Sequence, residues 1–218
     1  MKLDPRVVKL YPGFIVGYSI VTGITVEKEV EGLEAKKREV LEMVRKKLIA
    51  HPIDEMEEII LYRSFLEKMG RKGTASQLEA LTKDVERNDI PSHNNLLDSC
   101  AIASLEYMIL VNAHDLQNVK GELEVTLSSG DKPIQLLDGR KEAPNVNEVI
   151  LKDQEKIISA YGLGNAKSTG ISFKTSNAVL VAWNAPGIKR ERVESALKTA
   201  SIYARKYCGG HVEKTEIL

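Results

Sequence analysis

Apolar and polar positions along the chain change period near its middle. In the first half, after the Tyr11-Pro12-Gly13 turn, residues 14–21 alternate and are rich in β-branched side chains, which predicts a strand. From Val26 to Ala50 the apolar positions Leu33, Val40, Leu41, Val44 and Leu48 recur at helical spacing among Glu and Lys. His51-Pro52 stops this helix, because a residue before proline avoids helical backbone. A second helix is predicted from Ile53 to Met69, closed by Gly70. A third opens at Thr74 or Ser76 as N-cap and breaks at Asp89-Ile90-Pro91-Ser92. A fourth, capped by Asn94 or Asn95, reaches about Leu110, and its dense apolar content predicts burial. The second half reads mostly as strands: residues 122–127, 133–137 before an Asp138-Gly139 turn, 149–151, 156–160 and 177–183. A helix over about 189–206 follows, ended by Cys208-Gly209-Gly210, and residues 211–218 can form a last strand. Helices first and strands later predict an α+β fold around a mixed or antiparallel sheet. The clean alternation at 122–127 and 177–183 suggests neighbouring strands of one core sheet.

Length and charge narrow the picture. At 218 residues the chain suffices for one large domain. Its 31 Lys and Arg balance 31 Asp and Glu. That neutrality argues against broad, salt-driven affinity for RNA, though not against a local basic patch. Cys100 and Cys208 have no Cys-x-x-Cys spacing and read as reduced thiols rather than a disulfide or zinc site. The start has no apolar leader core and no run of 18 apolar residues occurs, so a soluble, cytoplasmic protein without membrane contact is expected.

Candidate chemistry is sparse. His114-Asp115 are sequence neighbours and make no dyad by adjacency alone. Asp115 reads first as a turn holder and His114 first as a packing residue, with a ligand or base role second. His51 and His93 sit at helix ends. The Gly-rich stretch 162–170 carries Lys167, Ser168 and Thr169 but fails the Walker spacing, and a strand rather than a helix follows it. It is either a polar hairpin loop or a surface offering N–H groups, Lys167 and hydroxyls to a carboxylate or phosphodiester. Arg63 can pair with Glu67 one turn on. The chain has no Gly-x-Ser-x-Gly elbow, no His-Glu-x-x-His and no deaminase pattern, so neither metal nor cofactor is expected.

Several motifs, in order, carry a resemblance. They are Tyr11 to Gly17, Tyr62-Arg63, Gly70, Ser76 to Leu81, Asn94-Asn95-Leu96-Leu97-Asp98 and Asn112-Ala113-His114-Asp115-Leu116 with Val119-Lys120-Gly121. Thr175-x-Asn177 leading a strand, Pro186-Gly187 and Tyr207-Cys208-Gly209-Gly210 complete them. Together they resemble the B3/B4 editing domain of the phenylalanyl-tRNA synthetase beta chain and, more closely at the C-terminal end, its free-standing relatives. The likeness covers about Ile59 to Leu218. It implies the layered α/β fold of that domain, here as one unit over 1–218 with a helical part at about 26–110 and a sheet-rich part at about 111–218. It implies a tRNA or aminoacyl-tRNA partner and hydrolysis, in trans, of a mischarged aminoacyl ester by a positioned water. The implied pocket comprises Arg63, Asn94, Asn95, Asp98, Asn112, Asp115, Ser168, Thr169 and Thr175. RNA contact falls to Lys167, Lys174, Lys189, Arg190 and Arg192. The sequence departs from the synthetase pattern at three places: Asn112 replaces its histidine, Cys100-Ala101 its Thr-Asn, and Val181 its late-strand glutamate. The alternatives are a non-catalytic module binding RNA or an amino-acid-like ligand, and a partner-binding role for the charged helix at Val26 to Ala50.

Overall fold

The computed structural model describes residues 1–87 and 90–218; Asp89 of the predicted break lies outside the described residues. The chain runs β1 (Lys2–Leu3), α1 (Pro5–Leu10), β2 (Val16–Thr22), α2 (Leu33–Ala50), α3 (Glu57–Lys68), α4 (Gln77–Glu86) and α5 (Asn95–Tyr107). It continues with β3 (Leu110–Asp115), β4 (Glu124–Leu127), β5 (Ile134–Gln135), β6 (Lys141–Glu142), β7 (Val149–Lys152), β8 (Ile157–Ala160) and β9 (Gly164–Asn165). The last elements are β10 (Asn177–Trp183), α6 (Arg190–Cys208) and β11 (His211–Ile217).

The α+β expectation holds, with two principal sheets. One is antiparallel, in the order β11-β2-β10-β3; the other, β1-β4-β7-β8-β9, is mixed because β1 joins β4 in parallel. The two segments expected to be neighbours are therefore apart: β4 lies in the five-stranded sheet and β10 in the four-stranded one. Alternation shows which side chains share a face but not which strand lies alongside.

Local chemistry sets the helix starts. Ser76 Oγ accepts the Glu79 N–H at 3.0 Å to open α4, and Asn94 Oδ1 accepts the Leu97 N–H at 3.0 Å to open α5. The predicted second helix divides into a 3₁₀ turn at Ile53–Glu55 and α3. The predicted first helix starts later, at Leu33, after Gly32 in the left-handed region (φ 80°). Gly210 is required for a different reason: a Cβ there would come within 2.2 Å of the Thr22 carbonyl oxygen, where the chain reverses from α6 into β11.

Helix α5 is buried as its composition predicts, with Leu96, Ile102 and Leu105 fully covered, and it packs against α2, α6 and β3. Asn95 fastens its first turn. Its Nδ2 donates to the Thr25 and Tyr207 carbonyls, both at 2.9 Å, and its Oδ1 accepts the Glu27 N–H at 3.0 Å. Asn95→Ala should cost about 2–3 kcal/mol in a urea melt, because backbone groups of two other segments lose their partner in the interior. A loss within about 0.5 kcal/mol would show that the tie is dispensable. Both cysteines are buried and unbonded, and burial raises both thiols, Cys208 to about 12. Among the described residues no helix is long and apolar enough to cross a membrane.

Candidate functional site

Strands β3 and β10 pair so that Leu110, Asn112 and His114 stand opposite Trp183, Val181 and Val179. Directly paired residues point to the same side of an antiparallel sheet, so these six form two adjacent rows on one face. The opposite face belongs to α6. Ser201 Oγ donates to Ser19 Oγ at 2.9 Å, and a Cβ on Gly17 would meet the Leu197 methyl at 3.0 Å. The Asn112–His114 side therefore looks toward the second sheet. There the Trp183 ring lies 5.4 Å from that of Tyr161, just after β8.

This face holds buried nitrogen atoms without protein partners. Asn112 Nδ2, His114 Nε2 and Trp183 Nε1 make no hydrogen bond, and their residues are 9%, 1% and 1% exposed. Gln77 Nε2, at the start of α4, is also buried and unpartnered, and would lie 3.1 Å from a Cβ on Gly164. Buried polar groups without partners are uncommon, and each costs roughly 1–3 kcal/mol. The three share one face and are the groups that a polar ligand reaching this layer would pair with. His114 Nδ1 is held by Thr169 Oγ1 at 3.0 Å. Burial lowers the His114 pKa to about 4, so the ring is neutral at neutral pH.

The predicted site residues are divided between the two ends of this sheet. At one end Thr175 Oγ1 donates to Asp115 Oδ2 at 2.8 Å, and Asp115 Oδ1 accepts the Gln117 N–H at 2.9 Å. Asp115 thus holds the turn, and Thr175 and Thr169 join it beside His114. Asn94, Asn95 and Asp98 lie at the start of α5 and spend their bonds internally. Asp98 accepts from Lys37 Nζ at 3.2 Å and from the His93 N–H at 2.9 Å. Ser168 is exposed and lines an outer groove of about 360 Å³, which also includes Lys132, Lys156 and Lys167.

Arg63 stands near the other end, where its neighbour Tyr62 bonds the Trp183 carbonyl at 3.0 Å and the Leu110 N–H at 3.1 Å. Its guanidinium does not pair with Glu67. It grips buried Glu79 at 2.9 and 2.7 Å and Asp54 at 2.6 Å. This clamp, more than Lys83, holds the Glu79 carboxyl down at about 2. An internal partner sixteen residues along the chain takes the fork that a ligand carboxylate would need. The expected RNA contacts are split likewise. Lys167 and Lys174 precede β10, whereas Lys189, Arg190 and Arg192 follow it, roughly 20 Å of strand away. Arg190 bonds Glu194 at 3.1 Å and the Ile217 carbonyl at 2.8 Å, and Arg192 bonds the Tyr107 carbonyl at 2.7 Å.

His114, Gln77 and Trp183 were not among the predicted pocket residues. The signal for the first lay in Asn112 and His114 standing two apart, which becomes a shared face once residues 110–115 are a strand.

The chain is similar to known proteins in sequence and in fold. The B3/4 domain family model matches residues 61–209. The phenylalanine–tRNA ligase beta subunit of Vibrio cholerae is 28% identical over 116 residues, covering 53% of this chain and 15% of that protein. Its counterpart in Fusobacterium nucleatum is 29% identical over 112 residues, covering 50% and 14% respectively. The chain thus spans about one seventh of the length of these curated relatives. An N-terminal fragment of the phenylalanyl-tRNA synthetase beta subunit from Pyrococcus horikoshii shares the fold. Its TM-score is 0.51 at 13% identity, over 97% of this chain and 49% of that one.

Proposed function

We propose, from the premise that this chain belongs to the B3/4 domain family, that it binds the aminoacylated end of a tRNA and hydrolyses the ester. The observation that carries this reading is the row of Asn112, His114 and Trp183, whose inward nitrogen atoms have no protein partner. In the tautomer with its proton on Nδ1, His114 donates to Thr169 Oγ1, which leaves the Nε2 lone pair facing the substrate. A water held there attacks the ester carbonyl carbon while Nε2 takes its proton. The carbon–oxygen bond to the ribose breaks, and the ribose oxygen receives that proton. Asn112 offers an N–H to the carbonyl oxygen or to a side-chain hydroxyl of the amino acid. It cannot act as a base near neutral pH.

A deacylation assay on a panel of mischarged tRNAs tests this; no turnover of any of them would sink it. Asn112→Ala should narrow the spread of rates across the panel while total hydrolysis falls only modestly, because a selecting hydrogen bond is lost and the base remains. An unchanged spread would remove Asn112 from selection. A second reading is favoured by Val179 and Val181, which put no carboxylate beside Asn112 and His114. It is a non-catalytic module that holds the acceptor end or a free amino acid. Tight binding of an amino acid with no turnover would favour it.

A further inference from the structure

Phe173 is the one exposed aromatic residue among those described, at 65%. A single exposed apolar side chain is ordinary, but this one is presented by a fixed turn. The Ser172 N–H donates to Thr175 Oγ1 at 3.0 Å, the Thr175 N–H returns to the Ser172 carbonyl at 3.0 Å, and the Lys174 N–H reaches Ser172 Oγ at 3.3 Å. Thr175 anchors the turn to Asp115, the residue after His114. The same loop group exposes Leu137 (58%), whose methyl would lie 3.1 Å from a Cβ on Gly170, and the Gly170 N–H bonds the Lys167 carbonyl at 3.1 Å. In a chain with as many acids as bases, residues 156–190 contain no Asp or Glu but include Lys156, Lys167, Lys174, Lys189 and Arg190.

We propose that Phe173 is a stacking platform for an unpaired base of the RNA acceptor end, with Lys167 and Lys174 taking the adjoining phosphates. This rests on the aminoacyl-tRNA reading above. An aromatic face accepts any base, and lysines before and after it in the chain can neutralise the backbone that carries it. The turn is ordered before binding, so little conformational freedom is lost on contact. Because Asp115 ties the platform to the residue beside His114, a terminal base stacked on Phe173 brings its ribose toward the buried row.

The test is the affinity of the intact chain for a deacylated tRNA and for the same tRNA trimmed of its unpaired acceptor tail. Phe173→Ala should weaken the intact tRNA about tenfold, leave the trimmed one unchanged and leave the salt slope as it was, with Phe173→Trp restoring affinity. Lys167→Ala and Lys174→Ala should each lower the salt slope by about one unit. If wild type binds neither RNA, the tRNA reading falls and the platform with it. If wild type binds the intact tRNA and Phe173→Ala binds it equally well, only the platform is overturned. Self-association abolished by Phe173→Ala at unchanged tRNA affinity would make the ring a protein contact and overturn it too.

Discussion

His114→Ala should lower ester turnover about 100-fold, the usual size of a lost general base, while the protein still folds. The wild-type rate should rise through pH about 4 and then stay level toward neutrality, because the neutral ring is the active form and burial sets its pKa there. A rate unchanged in His114→Ala, or one still climbing through pH 6 to 7, would remove the ring from the reaction. The same group makes a separate stability prediction. Its pKa is below the ordinary 6.5, so the unfolded chain takes up the proton first as pH falls. The stability owed to the neutral ring is fully present above 6.5 and is lost as pH falls toward 4, a total on the order of 3 kcal/mol. Glu79 follows at lower pH, from its ordinary value of 4.5 down to about 2. His114→Gln should therefore flatten the upper part of the acid-unfolding curve and leave the lower part.

Tyr161→Ala should cost about 4 kcal/mol, the largest loss expected from a single residue here. The ring sits edge-on to Phe65 at 4.8 Å, stacks over Tyr62 at 6.1 Å and meets Trp183 at 5.4 Å. Its hydroxyl donates to the Asn184 carbonyl at 2.9 Å. That residue in turn binds the Ile15 N–H and the Gly13 and Ile188 carbonyls. Removing the ring opens a cavity where α3 and the two sheets meet. Tyr161→Phe keeps the volume and should cost only about 1–2 kcal/mol, for the carbonyl left without a donor. Urea melts with unchanged slope would measure both. A loss below about 2 kcal/mol for Tyr161→Ala would mean that the layers are held together elsewhere.

What could be read from the residues depended on how locally each feature is determined. Helix α5 was legible because Asn94 caps it and apolar residues such as Leu96, Ile102 and Leu105 fall all round it, as in a buried helix. Strand β3 was not, since it begins two residues after the Met108 cap and places Asn, His and Asp at buried positions where a strand signal wants apolar ones. The partner of β10 was illegible because pairing is a long-range outcome. Thr175 and Asp115 were placed together by the family's motif order, and a hydrogen bond joins them. The ion-pair partner of Arg63 differs from the expected Glu67 for a simple reason. A cation on a helix looks available, or looks paired one turn on, until another helix brings up a carboxylate.

The chain contains one tryptophan, and it stands in the same rows as Asn112 and His114. Excited beyond the absorption of its seven tyrosines, the protein therefore fluoresces from a single, buried indole at the proposed site. An acceptor end or an amino acid entering there would alter the field around one indole, unmixed with any other. Occupancy could be titrated in unlabelled protein, and the emission shift of an RNA held only at the Phe173 turn would be distinguishably smaller.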